Sequence, residues 1–234
     1  MGSERLPGKT MAPLSGSPSL RHIIDRLKAV PSLDGVVVAT TTARRDDVIV
    51  QCARQAVAPV YRGSEEDVMA RVLEAAQSVQ AGTIIRVTGD CPLIDRDVVE
   101  SVIKSYIELA PDYACNFLGG QQYPRGEEVE AFSVELLARI EREATATRYR
   151  EHVTPMFYEH PERFRLAGVQ APVDHRHPEL RLTLDTEEDY ALISAIYAAL
   201  FPADPLFGLS DVLELLEQRP ELASLNAEVT QKHA

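Results

Sequence analysis

Short apolar stretches alternate with amphipathic stretches through the first half of the chain, and this order restricts the fold more than any other sequence feature. The apolar stretches lack the period-two pattern of half-exposed strands; they are residues 36–40, 59–61, 83–88 and 112–116. Helical patterns fall at residues 19–30, 46–56, 64–79 and 97–109. The third helix is predicted to begin at Ser64 as N-cap, with Asp67 completing a capping box. Strands separated by helices predict an α/β fold, a mostly parallel sheet with helices on both faces.

The alternation is interrupted between residues 117 and 178, where glycines, a strand pattern and two helical patterns follow one another. We interpret this segment as an excursion from a single domain of residues 1–234, forming a wall of the substrate site or a dimer contact. Its apolar Met156, Phe157 and Tyr158 favour a homodimer. Beyond it, a strand is predicted at residues 180–184, followed by helices at 187–200 and from 209 onward.

Composition narrows the function classes. A chain of 234 residues with 45% hydrophobic content buries a sizeable core in one domain. The net charge of −12 argues against broad binding to nucleic acid or to an anionic membrane surface, although a local basic pocket for a nucleotide is compatible with it. We find no apolar run of membrane-spanning length and no signal-peptide pattern, so we expect a cytoplasmic protein. Three cysteines without CxxC spacing fit reduced, packed thiols.

The first nine residues contain small residues and two cations. Gly2 and Ser3 leave backbone N–H groups accessible, and Arg5 and Lys9 lie four positions apart, so the stretch suits a polyphosphate cradle. It is not a P-loop, because the GxxxxGK[ST] spacing is absent. The alternative from composition alone is a solvated terminus.

Two carboxylates are predicted at strand ends, where an α/β site lies. Asp90 follows the stretch IIRVT, and Asp185 follows RLTL. One or two carboxylates, with substrate phosphates completing the shell, are what Mg²⁺ prefers. Each also has a structural interpretation: Asp90 as a turn residue before Pro92, and Asp185 just outside a helix cap formed by Thr186, with Asp189 completing a capping box.

Six stretches together resemble one enzyme family. They are MGSERLPGK, VVVATTT, YRGSEEDV, RVTGDCPLID, YREHVTPMFYEHPE and RLTLDTEEDY. In this order they are similar to the SpsF-type cytidylyltransferases of spore-coat polysaccharide biosynthesis, relatives of the enzymes that make CMP-activated acidic sugars. The resemblance covers nearly the whole chain, and RGSEEDV and TGDCPLID are its most specific parts. It implies a Rossmann-like nucleotide-diphospho-sugar transferase fold that binds CTP with Mg²⁺, transfers the cytidylyl group to a sugar and releases pyrophosphate.

The resemblance also assigns residues. Those matching the family's triphosphate loop are Gly2, Ser3, Arg5 and Lys9, while Arg62 and Ser64 fall where relatives approach the nucleotide. Asp90 matches the metal-binding aspartate and Asp185 the second strand-end acid. Catalysis would then rest on Arg5, Lys9 and Asp90, because nucleotidyl transfer needs positioning and charge neutralisation more than a protein nucleophile.

The chain departs from the family pattern at its start. Relatives begin with an apolar strand that leads through Gln-Ala-Arg into the loop, whereas this sequence starts at the following Met1. The resemblance therefore implies that a first strand, which carries groups approaching the cytosine, is absent here. We expect either that the true start lies upstream or that the protein folds with a gap and binds nucleotide poorly.

A second departure lies in the predicted acceptor region. Where the family commonly has Tyr-Pro-Asp-Gly, this chain has Arg125 between Pro124 and Gly126. Arg125 suits a sugar carboxylate or phosphate, the alternative being an exposed turn residue. Tyr123, Glu130 and His152 are the other candidate acceptor contacts, with His152 a candidate general base or a structural histidine.

Two rival functions stay open at this point. One is a catalytically silent nucleotide-sugar-binding or scaffold subunit, which the missing strand favours and the retained Arg5, Lys9, Asp90 and Asp185 disfavour. The other is a glycosyltransferase of related architecture, which would place an Asp-x-Asp metal motif after a strand; we find no such motif.

Overall fold

Helices and strands alternate through the first half of the computed structural model, which describes residues 1–3 and 5–230. In chain order the elements are β1 (Pro13–Leu14), β2 (Ser17–Pro18), α1 (Ser19–Lys28), β3 (Val38–Thr41), α2 (Asp47–Gln55), β4 (Val60–Gly63), α3 (Val68–Ser78), β5 (Thr83–Arg86), α4 (Arg96–Leu109) and β6 (Tyr113–Cys115). The second half contains β7 (Glu130–Ser133), α5 (Val134–Glu143), α6 (Thr147–His152), α7 (Pro155–Glu159), β8 (Leu166–Gly168), α8 (Glu187–Leu200), α9 (Leu209–Gln218) and α10 (Pro220–Ala223). The predicted α/β class is confirmed.

The strands form a small hairpin and two sheets. β1 and β2 are an antiparallel pair, and β3 pairs with β4 in parallel. The other four strands have the order β5-β7-β6-β8. Within that sheet β7 runs antiparallel to both its neighbours, whereas β6 and β8 are parallel. A strand from the excursion is therefore inserted between two strands of the first half.

Helices cover both faces of the four-stranded sheet. Successive side chains of a strand point to opposite faces, so neighbouring residues of one strand pack into different cores. Ala114 and Ala131 pack into a core with residues of α4, α8 and α9. Their neighbours Tyr113 and Phe132 pack on the opposite face with residues of α3, α5 and α7. A third core joins α1 and α2 beside β3 and β4. None of the helices in the described ranges combines the length and apolar character needed to cross a membrane.

Two predicted elements differ in the structure. Residues 180–184 do not form a strand; Arg181 makes one isolated bridge with Arg125. Their backbone instead joins two loops, since the N–H of Leu182 donates to Arg125 and that of Leu184 donates to Asp90. The third helix begins after Asp67, whose carboxylate caps it.

The other corrections concern single side chains. The Ser64 hydroxyl accepts the N–H of Asp67, so it caps the turn before the helix and not the helix itself. Met156 and Phe157 lie in the core on the α3 face of the sheet, because α7 packs them inward. They are therefore not available for the predicted dimer contact, whereas Tyr158 is 36% exposed.

Candidate active site

The Lys9 ammonium joins the two predicted carboxylates. Its Nζ lies 2.7 Å from Asp90 Oδ2 and 2.6 Å from Asp185 Oδ1. Lys9 begins a single 3₁₀ turn, Lys9–Met11, and Gly8 before it has φ of 77°, a left-handed conformation that favours glycine. Burial acts to lower the pKa of Lys9, but the charges and hydrogen bonds of Asp90 and Asp185 outweigh it and raise that pKa. The side chain therefore stays cationic across the physiological range.

Asp90 is placed by the turn that follows β5. Its Oδ1 accepts a hydrogen bond from the Thr88 hydroxyl at 2.6 Å. Its backbone carbonyl accepts the N–H of Leu184 at 2.8 Å and the hydroxyl of Thr183 at 3.1 Å. These bonds tie the segment leading into Asp185 directly to Asp90, and this is how two acids so far apart in the chain meet.

Asp185 is surrounded by cations. Besides Lys9, Arg5 Nη2 lies 3.1 Å and Arg181 Nη2 2.7 Å from its Oδ2. Burial acts to raise the pKa of Asp185, but hydrogen bonds and charge from Lys9 and Arg181 outweigh it, so the pKa lies below its usual value. The carboxylate is therefore ionised at neutral pH, and it lies immediately before Thr186, the N-cap of α8.

The acid pair fits a hydrated divalent cation. Two carboxylates already share one cation, the Lys9 ammonium, at hydrogen-bonding distance. Among the described residues no group of three or more His, Cys, Asp and Glu side chains is arranged to hold a metal. Magnesium does not need such a group, because it is usually bound by one or two carboxylates with water and substrate phosphates completing its shell.

Gly126 allows the loop that carries the predicted acceptor residue Arg125 to pack closely against the segment that ends at Asp185. Gly126 has φ of 109°, and a Cβ built on it would lie 2.7 Å from the backbone carbon of Leu182. Arg125 on the same loop exchanges backbone hydrogen bonds with Leu180 and Leu182. The segment that ends at Asp185 is therefore packed between this loop and Asp90.

The other predicted nucleotide residues are engaged within the protein. Ser3 Oγ accepts the N–H of Leu6 at 3.3 Å, and a Cβ on Gly2 would lie 3.4 Å from Arg45 Nη2. Arg62 donates to the carbonyls of Thr41 and Ala43 and to Asp47, so it fastens the loop after β3. Of the nucleotide and metal predictions, the structure brings Arg5, Lys9, Asp90 and Asp185 together, and the roles of all of them stay predictions.

The predicted acceptor residues are less accessible than expected. Tyr123 is 2% exposed in the main core, and Glu130 is 4% exposed, where it accepts from Arg86 and from the Tyr113 hydroxyl. Burial argues against direct sugar contact for both. Arg125 is partly exposed, 3.9 Å from Glu128, and His152 is the partly buried last residue of α6.

Two buried residues behind Asp185, Arg181 and Asn226, were not predicted from sequence, and Asp189 was predicted only as the partner of Thr186 in a capping box. Arg181, Asp189 and Asn226 are buried and hydrogen-bonded to one another behind Asp185. The spacing of four residues between Arg181 and Asp185 was the one available signal. Asp189 does complete the capping box with Thr186, so the structural interpretation of that segment is confirmed, and the role of Asp185 as a metal ligand stays a prediction. Cys91 is buried, and burial raises the pKa of its thiol well above the usual value, so it packs and does not serve as a nucleophile.

Comparison with known proteins gives consistent matches over the whole chain. A family model described as cytidylyltransferase matches residues 1–230. The spore coat polysaccharide biosynthesis protein SpsF of Bacillus subtilis is 34% identical over 230 residues, covering 96% of this chain and 93% of its own. A cytidylyltransferase from Leptospira borgpetersenii superposes with a TM-score of 0.89 at 29% identity, covering 100% of this chain and 95% of its own. A CMP:2-keto-3-deoxy-manno-octonic acid synthetase complexed with CTP shares the fold, with a TM-score of 0.63 at 20% identity over 84% of this chain and 94% of its own.

Proposed function

Because the chain belongs to the cytidylyltransferase family and is a nucleotidyltransferase, we propose that it transfers the cytidylyl group of CTP to a sugar, releasing pyrophosphate. The single observation that carries the site assignment is the bridge of Lys9 between Asp90 and Asp185. We propose an acidic sugar acceptor and a place in surface polysaccharide biosynthesis. The names of SpsF and of the CTP-bound synthetase support this choice.

The proposed reaction needs no covalent intermediate. An acceptor hydroxyl oxygen attacks the α-phosphorus of CTP, the bond from that phosphorus to the pyrophosphate oxygen breaks, and the hydroxyl proton passes to a base. Arg5 and Lys9 bind the departing phosphates and neutralise their charge. Magnesium, held by Asp90 and Asp185, would supply further charge neutralisation at the α-phosphate.

Lys9 couples the proposed nucleotide site to the proposed metal site. Its ammonium now occupies one oxygen of each carboxylate. Triphosphate oxygens compete for the same ammonium, and their binding would free Asp90 and Asp185 for a divalent cation. Nucleotide and metal should therefore bind together more tightly than either alone, a reciprocal coupling between the two ligands.

Calorimetry with CTP, ATP, UTP and GTP, each with and without Mg²⁺, tests the proposal. We expect binding that is selective for CTP and dependent on Mg²⁺, and pyrophosphate release when an acidic sugar is added. Selective binding without turnover across a panel of acidic sugars would favour the silent scaffold. Absence of CTP binding would contradict the proposed function.

Substitution of Lys9 tests its role in turnover. Lys9→Met removes the charge next to the departing phosphates, so we expect kcat/KM to fall about 10²- to 10³-fold. Lys104→Met is the matched control, because Lys104 is an exposed lysine on α4 paired with Glu100. A Lys9→Met enzyme as active as the control would remove Lys9 from the mechanism.

We also propose that the protein is a cytoplasmic homodimer. Tyr158 is the exposed member of the predicted contact, since Met156 and Phe157 are buried in the same chain. Sedimentation at working concentration measures this directly, and a monomer would contradict the dimer.

A further inference from the structure

Arg181 holds two carboxylates with one guanidinium. Its Nε lies 2.9 Å from Asp189 Oδ1, and its Nη2 lies 3.1 Å from Asp189 Oδ2 and 2.7 Å from Asp185 Oδ2. The Arg181 side chain is 8% exposed and that of Asp189 is fully buried. The planar guanidinium fits this geometry because it presents donors in a fixed fork.

Asp189 is itself fixed on several sides. Its Oδ2 accepts the backbone N–H of Asp185 at 3.0 Å and that of Thr186 at 3.1 Å. Its Oδ1 accepts Asn226 Nδ2 at 2.8 Å, and the same amide donates to the carbonyl of Arg181 at 2.9 Å. The turn Ser224–Asn226 near the end of the described chain therefore supports the residues behind Asp185.

The two oxygens of Asp185 have different partners. Oδ2 accepts a hydrogen bond from the buried Arg181 and also lies 3.1 Å from Arg5 Nη2, whereas Oδ1 faces Lys9, which also binds Asp90. We propose that Arg181 is a positioning residue: by fixing Oδ2 it directs Oδ1 toward Asp90 and so creates the shared cation site. The inference rests on the proposed function in so far as that site is to hold the catalytic metal.

The test is Arg181→Lys, which keeps the charge but cannot bridge both carboxylates through a planar fork. Titration with Mn²⁺ alone, followed by electron paramagnetic resonance, should show about tenfold weaker binding or more, the effect typical of residues that orient metal ligands. In turnover assays kcat should fall while KM for CTP changes little. Arg26→Lys is the matched control, because Arg26 is equally buried but bonds the Phe207 carbonyl, away from Asp185.

A lower stability of both variants with weaker Mn²⁺ binding in Arg181→Lys alone would support the proposal. Unchanged Mn²⁺ affinity in folded Arg181→Lys would overturn it. If Arg181→Lys does not fold, Asn226→Ala loosens the same support from the periphery and should weaken Mn²⁺ binding in the same direction; unchanged affinity there would overturn it.

The proposal and the proposed function can fail separately. The Mn²⁺ titration uses neither CTP nor sugar, so a wild-type protein that binds Mn²⁺ without turning over CTP refutes the function and leaves the positioning test intact. If the wild type binds no Mn²⁺, the position of the Asp185 carboxylate in a crystal structure of Arg181→Lys tests the proposal. Asn226→Ala is used in its place if Arg181→Lys does not fold. Asp185 Oδ1 displaced from Lys9 supports the proposal, and an unmoved carboxylate overturns it.

Discussion

At the scale of single residues, two acids with little solvent exposure, Asp185 and Glu127, lie in opposite electrostatic environments. Asp185 is surrounded by three cations, whereas Glu127 is fully buried and bonds the N–H of Asp95 through Oε2 alone. Its Oε1 finds no hydrogen-bond partner among the described residues. Burial, and then the charge of Asp95, raise the pKa of Glu127 well above its usual value. Glu127 therefore binds its proton more tightly in the folded protein than in the unfolded chain.

Glu127→Gln should stabilise the protein increasingly as pH rises. An acid with a raised folded pKa contributes stability that is present below its unfolded pKa and is lost as pH rises toward the folded pKa, with a slope of at most ~1.4 kcal/mol per pH unit. Glutamine does not titrate, so Glu127→Gln does not lose this stability as pH rises. The gain in unfolding free energy over wild type should therefore be larger at pH 8 than at pH 5. Urea unfolding at the two pH values measures it.

The control is Glu100→Gln. Burial acts to raise the pKa of Glu100, but bonds from Ser32 outweigh it and lower that pKa. The stability that the Glu100 carboxylate contributes is present above its unfolded pKa and is lost on acidification. Glu100→Gln should therefore give no gain in unfolding free energy at pH 8. A gain for Glu127→Gln that is independent of pH would contradict the raised pKa of Glu127.

The sequence predicted the main charged residues of the site, although Asp185 does not follow a strand as expected. Asp90, Asp185 and Lys9 were predicted and do lie together. Arg181 was missed because its role depends on which two carboxylates its fork reaches, and a linear pattern does not contain that information. Glu130 was predicted to contact the acceptor, but it is buried, and an ion pair with Arg86 compensates that burial.

At the scale of elements, the capping box at the N-terminus of α8 also positions Asp185, a predicted metal ligand. Thr186 Oγ1 accepts the N–H of Asp189 at 3.3 Å, and Asp189 returns a bond to the backbone N–H of Thr186 at 3.1 Å. Asp185 is the residue immediately before this capping box. A substitution that weakens the capping box should therefore also change the position of Asp185 in the candidate active site.

Thr186→Ala should lower the unfolding free energy by about 1 kcal/mol, the usual loss for an N-cap hydroxyl. It should also lower kcat, because Asp185 is the residue immediately before the cap. Ser133→Ala is the matched control, since Ser133 caps α5 through the N–H of Leu136 at 3.0 Å. Chemical denaturation measures the loss of stability in both variants, and steady-state kinetics measures kcat. Equal kcat values for Thr186→Ala and Ser133→Ala would show that weakening the cap does not affect the site.

Element prediction worked best where local signals define both ends. Helix α8 begins and ends as predicted, because the capping box and the apolar run are contained in its own sequence. The stretch 180–184 has the apolar character of a strand, yet it forms one bridge, because a strand also needs a neighbour with free hydrogen-bonding groups. β8 lies within the excursion and was not predicted, since its three residues carry too little pattern.

At the scale of the whole molecule, the predicted order of helices and strands was sufficient for the α/β class but not for the sheet topology. The insertion of β7 between β5 and β6 is a long-range pairing that no local pattern encodes. The net charge of −12 coexists with the local cation group of Arg5, Lys9 and Arg181. An acidic surface is thus compatible with a site built for an anion.

Ligand binding should therefore stabilise the whole fold. At a concentration of Mg²⁺–CTP 100-fold above Kd we expect a rise in Tm of about 5–10 °C, from ~2.7 kcal/mol of linkage and the size of the chain. Thermal melts with CTP alone and Mg²⁺ alone should give smaller rises, because both ligands are needed to replace the Lys9 bridge. A full rise with CTP alone would contradict the coupling.

The burial of every cysteine makes the protein a convenient subject for site-directed labelling. Cys52, Cys91 and Cys115 are at most 5% exposed, and burial raises the pKa of each thiol. Maleimides react with exposed thiolates, so the native background should be low. A cysteine introduced at Ile107, which is 67% exposed on α4, would then carry a fluorophore without removal of the native thiols.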